Sequence, residues 1–128
     1  LKATLSTRGG RDVARQLAHI HNVRVWRLEA FAKKLGEGLV EFHKEESPDK
    51  KKLLEAFEQS GEVMEKYVQY CIDNGGMVIN FKRGVVPMLG YFISHEAHHR
   101  GNILLTMKQS GFAHLDCFKT SINFRQYC

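Results

Sequence analysis

Along three stretches of the chain apolar residues return every three or four positions, and no alternating run is long enough to suggest a strand. The first stretch predicts a helix from about Asp12 to Lys34, with Val13, Leu17, Ile20, Val23, Trp26 and Phe31 on its apolar side and Gly36 and Gly38 as its stop. The second starts at Ser47-Pro48. There the serine hydroxyl can cap a helix whose first turn tolerates the proline, which lacks a donor that would be unpaired anyway. Leu53, Phe57, Ser60, Met64, Tyr67 and Cys71 continue it, Gly61 marks an expected close helix contact, and Asn74-Gly75 supplies a left-handed stop. The third stretch predicts a helix from about Val85 to Gln109, ended by Ser110-Gly111. It is most apolar at its start, through Val85, Val86, Met88, Leu89, Tyr91, Phe92 and Ile93, and Pro87 sits in its first turn. The tail from Ala113 to Cys128 carries Leu115, Phe118, Ile122 and Phe124, enough for a short helix or a cover over one end.

No repeat or low-complexity segment interrupts this pattern, so the expected fold class is all-α. Short connections between long helices imply antiparallel neighbours in a helical bundle. A chain of 128 residues supports one core, and 1–128 is read as a single domain. Hydrophobic residues at 43% and charged residues at 26% are ordinary globular values, and no apolar run could span a bilayer, so no membrane partner is expected. The net charge of +5 is spread out, and its only run, Lys50–Lys52, reads as a solvated helix start rather than a nucleic-acid site. Cys71, Cys117 and Cys128 form an odd set without Cys-x-x-Cys spacing, which fits reduced thiols in a cytoplasmic protein. Residue 1 is Leu and Leu1–Gly10 lacks the form of a secretory signal, so the natural start is expected to lie elsewhere.

The chemistry lies in Ser94-His95-Glu96-Ala97-His98-His99-Arg100-Gly101-Asn102. Residues four apart stand one turn above each other on a helix, so His95 and His99 present two imidazoles from one side, as two ligands of one metal require. His98 points elsewhere. That side continues through Met88, Phe92 and Ile103, so the pair faces the core, where an imidazole needs a partner. The first helix offers a third ligand in Leu17-Ala18-His19-Ile20-His21, and its apolar stripe does not choose between the two histidines. Three neutral nitrogen ligands suit zinc, nickel or a similar cation and leave positions open, the pattern of a catalytic site.

The same stretch matches His-Glu-x-x-His, in which Glu96 would serve as the base of a zinc protease. The rest of such a site is missing. A gluzincin wants a further glutamate ligand, yet the only carboxylate after His99 is Asp116. A metzincin wants Gly and His at the positions of Asn102 and Leu105.

Two segments, Gly-Gly-Arg-x-Val-Ala-x-x-Leu-Ala-His-Ile-His-Asn-Val-Arg over Gly9–Arg24 and Ile-Ser-His-Glu-Ala-His-His-Arg-Gly-Asn over Ile93–Asn102, resemble the DinB-like (DinB/YfiT) family of metal-dependent proteins. The resemblance implies an up-down-down-up four-helix bundle with its metal on His19, His95 and His99. It leaves His21 beside the ligands or at the surface, and makes Arg24, Glu96 and Arg100 supports that orient ligands or meet an anionic group. His43 and His114 are given no role. The chain departs from the family pattern in two places: Asn102 stands where glutamine is usual, and only Leu1–Arg8 precedes the Gly-Gly-Arg stretch, so the first bundle helix is expected to be truncated or absent.

Characterised members of that family include transferases and isomerases that use low-molecular-weight thiols. By resemblance the expected function is therefore a metal-dependent S-transferase, with one divalent ion (zinc or nickel), a small thiol cosubstrate and an electrophile as partners. A metal-dependent hydrolase of a small ester or amide and a non-catalytic metal-binding or stress-response module are the alternatives. The family also implies a homodimer.

Overall fold

The computed structural model describes residues 11–111 of the chain. Those residues form three helices, α1 (Val13–Gly36), α2 (Lys50–Asp73) and α3 (Val85–Gln109), with a single isolated bridge between Val78 and Phe81 in the turn before α3. None of the three is long and apolar enough to cross a membrane. The expected tail helix and the segment preceding Gly-Gly-Arg lie outside the described residues.

Each helix boundary has a local cause. Asp12 caps α1, its carboxylate accepting from Arg15 N at 2.8 Å. At α2 the cap is Asp49, which accepts from Lys52 N at 2.9 Å, and not Ser47 as the sequence pattern had suggested. Ser47 instead donates to Asp12 Oδ2 at 3.0 Å, tying the starts of the two helices together, and Pro48 precedes the cap instead of sitting in the first turn. At the other end of α2, Gly75 adopts φ +80°, and the bonds Gly76 N to Cys71 O (2.7 Å) and Gly75 N to Ile72 O (3.2 Å) close a Schellman motif. Gly84, at φ +82°, lets Val85 N reach Gly76 O at 2.8 Å and start α3.

α1 and α2 run parallel, contrary to the expectation from short connections, because their link is long and retraces α1. Along 37–49 the chain meets His21 through Val40 O (2.8 Å) and Asn22 through both backbone groups of Phe42 (2.8 and 3.0 Å). It then reaches Arg15 through Glu45 (2.7 Å) and finally Asp12 through Ser47. Since α2 therefore begins beside the start of α1, α3 is left antiparallel to both. This is the down-down-up part of the order the family resemblance implies.

α1 is the central helix. Val23, Leu28 and Phe31 pack with Tyr67 and Cys71 of α2 and with Val85, Met88 and Phe92 of α3, while Val13 and Ile20 pack against Ile103. Leu28 and Met88 are fully buried, and each side chain contributes on the order of 1.5–3 kcal/mol by leaving water. A polar link, Gln16 Nε2 to Thr106 Oγ1 at 3.4 Å, joins α1 to α3 near the far end of the bundle. The apolar start of α3 is only partly buried: Val86 and Ile93 face outward, as does Trp26 on α1. Gly61 makes no close backbone contact, its nearest neighbour being the Arg24 guanidinium at 3.9 Å from an added Cβ.

Candidate metal centre

His19 on α1 and His95 and His99 on α3 converge. The ligand nitrogens of the three lie within 4.8 Å of one another, and the His95 and His99 Nε2 atoms are 3.1 Å apart. Two nitrogens bound to one cation at ~2.0–2.1 Å would be separated by roughly 3 Å, so the pair already has the spacing of ligands. Ring centroids of His19 stand 4.8 Å from His99 and 5.5 Å from His95. All three rings are half-buried.

The electrostatics hold these rings neutral. Burial pushes the His99 imidazolium down to about 4, assisted by the neighbouring His95, His19, His98 and Arg11. Burial also lowers His19, with Arg11 and His95 adding to it, and lowers His95, where Glu96 partly opposes the shift and His98 and Arg27 reinforce it. A neutral imidazole keeps a lone pair free, which is the form a metal takes. These residues fit a divalent cation in number, spacing and protonation. In one respect the surroundings depart from a usual metal histidine: His95 Nδ1 is buried with no hydrogen-bond partner among the described residues, so none of their oxygens sets its tautomer. The ring is oriented instead by stacking on Tyr91, at 5.9 Å and 21°.

The two histidines of Ala-His-Ile-His separate cleanly. Two residues along a helix is a rotation of about 200°, so when His19 faces α3, His21 faces the opposite way. His21 is 1% exposed, in contact with neither the other histidines nor the surface. Its Nε2 lies 2.8 Å from Val40 O, which can only accept, so that nitrogen carries the proton; its Nδ1 accepts from Ser60 Oγ at 3.1 Å. Burial lowers this group as well, and it stays neutral as a bridge between α1, α2 and the 37–49 link.

Glu96 is not poised over the triad. Arg24 holds it, with Nε and Nη2 both 2.7 Å from Oε1, in a half-buried ion pair that clasps α1 to α3. Arg24 also lies over the Phe57 ring at 5.1 Å. Arg100 is exposed and makes no side-chain hydrogen bond or ion pair among the described residues. His43 is exposed in the link and His114 lies outside the described residues.

Sequence reasoning missed the aromatic frame of the site. Trp26 meets His19 edge-on at 6.1 Å, and Arg27 lies 4.8 Å over Tyr91 while donating to its hydroxyl at 3.3 Å. Spacing could have found both aromatics, since Tyr91 is one turn before His95 and Trp26 two turns after His19. Beside His19, between α1 and the returning link, opens a cavity of about 380 Å³ whose walls include Arg11, Asn22, Trp26 and Phe42. It adjoins the triad rather than enclosing it, because neither His95 nor His99 lines it.

No curated protein and no solved structure matches the chain. A model of the DinB family matches residues 3–122, nearly the whole sequence, including all three converging histidines and the helices that carry them. The chain belongs to the DinB family.

Proposed function

We propose that this protein is a metal-dependent transferase that uses a low-molecular-weight thiol, with His19, His95 and His99 holding a zinc or nickel ion. The observation that carries the reading is the convergence of three neutral imidazoles from two helices while the nearby Glu96 carboxylate is committed to Arg24. An ion held by three nitrogens would supply a Lewis acid able to ionise a bound thiol near neutral pH. No protein base is then required, which suits a site beside which the Glu96 carboxylate is engaged by Arg24. A His-Glu-x-x-His hydrolase would need that carboxylate free to activate water. The histidines hold the reacting centre, Tyr91 and Trp26 wall it with apolar surface, and α3 fixes the pair of ligands on a rigid element.

Metal analysis of protein purified without added metal, followed by assays of several thiols with chlorodinitrobenzene, tests the proposal. The expected result is a bound divalent ion and thiol-dependent product formation that a chelator abolishes. Bound metal without turnover for any thiol would leave a non-catalytic metal-binding module.

A further inference from the structure

The positive charges around the triad are mostly spoken for. Arg24 is paired with Glu96, Arg27 lies on Tyr91, and Arg15 is paired with Glu45 at 2.7 Å while reaching Lys44 O at 3.3 Å. Arg11 and Lys44 are different: neither makes an ion pair or a side-chain hydrogen bond among the described residues, yet both line the cavity beside His19. A guanidinium at the mouth of a site, with no partner among the described residues, suits an anion, and its planar fork matches a carboxylate better than the single ammonium of Lys44 does.

The rest of the cavity sets a polarity. Asn22 is tied to the Phe42 backbone through Oδ1 and one of its two Nδ2 hydrogens. Trp26 and Phe42 supply apolar wall, and Glu46 is engaged by His43 N at 3.2 Å. Glu41 remains on the link side and repels a second negative group there. A volume of about 380 Å³ suits a small molecule.

We propose that the cavity between α1 and the 37–49 link is a substrate-binding site for a small carboxylic acid, with the carboxylate on Arg11 and the apolar body against Trp26 and Phe42. This deepens the functional reading and rests on the triad being the reacting centre: the acid is borne by the thiol or by its acceptor, and Arg11 positions it beside His19. Arg11 is a binding residue and takes no part in metal retention.

Trp26 is the only tryptophan of the chain and lines the cavity, so its fluorescence reports occupancy without turnover. Metal-free and cobalt-loaded protein are titrated with N-acetylalanine and its amide, and with N-acetylcysteine and its amide. The acids are expected to bind about tenfold more tightly than the amides, the size of one charge-assisted hydrogen bond. Arg11→Gln should erase that preference with metal content unchanged, while Lys34→Gln should keep it. Equal binding of acid and amide, no response to either, or a preference that survives Arg11→Gln would overturn the assignment. If acid preference persists but acetylcysteine gives no thiolate-to-cobalt absorption band, the thiol reading falls and the carboxylate site stands. Where turnover is seen, Arg11→Gln raises KM for whichever reactant bears the acid, which identifies the source.

Discussion

The Nε2 atoms of His95 and His99 face each other at 3.1 Å with neither ring charged. Two neutral imidazoles at this distance either share one proton or turn both lone pairs to a common cation, and the ring of His19 completes the second arrangement.

Replacing His95 with Ala should therefore empty the site, since two imidazoles retain a divalent ion weakly. Elemental analysis of the folded variant is expected to show metal content falling at least about tenfold, the scale of losing even a supporting contact. Full retention in a variant with wild-type circular dichroism would remove His95 from the ligand set.

The pH dependence of the metal-free protein follows from the same groups. His19, His21, His95 and His99 all lie below their ordinary value of 6.5 in the folded chain, His99 at about 4. Below 6.5 the unfolded chain thus binds more protons than the folded one. This contribution to stability is complete above pH 6.5 and is lost as pH falls toward about 4. Urea midpoints measured across that window should decline with acidification, and His99→Ala should flatten the decline. A stability that rises toward pH 4 would show these rings to be charged in the fold.

His21 and His19 should respond oppositely. His21→Ala removes a fully buried ring and leaves Ser60 Oγ and Val40 O without their partner, at a cost of about 2–4 kcal/mol, with metal content unchanged. Denaturant unfolding combined with metal analysis distinguishes the two positions; metal loss in a folded His21→Ala protein would contradict the assigned orientation.

Glu96→Gln separates a structural role from a catalytic one. Breaking the half-buried pair with Arg24 should lower stability by about 1–3 kcal/mol while leaving metal content and turnover close to wild type. Turnover abolished at unchanged stability would identify Glu96 as a base instead.

Gly84→Ala probes the entry to α3. A Cβ there would stand 2.8 Å from Gly76 O, and φ +82° is unfavourable for any L side chain. Thermal melts should show a loss of about 2 kcal/mol or more, and an unaltered melt would mean that this turn can relax.

Much of this protein was legible in its residue order. The span of α3, the glycine stop after Asn74, the all-α class and the shared side of His95 and His99 all follow from periodicity and turn chemistry, which act within a few residues. The bond between Asp12 and Ser47, which leaves Asp49 as the cap of α2, joins positions 35 apart and left no local trace. Nor did the path of the 37–49 link, set by Asn22 and Arg15, which makes α1 and α2 parallel. From the residues alone His19 and His21 were equal, because α1 is buried on several sides and both faces read as apolar. Only packing decided that one side of α1 meets α3 and the other meets the link and α2, since a helix's own pattern says what it hides and not which neighbour it hides it against.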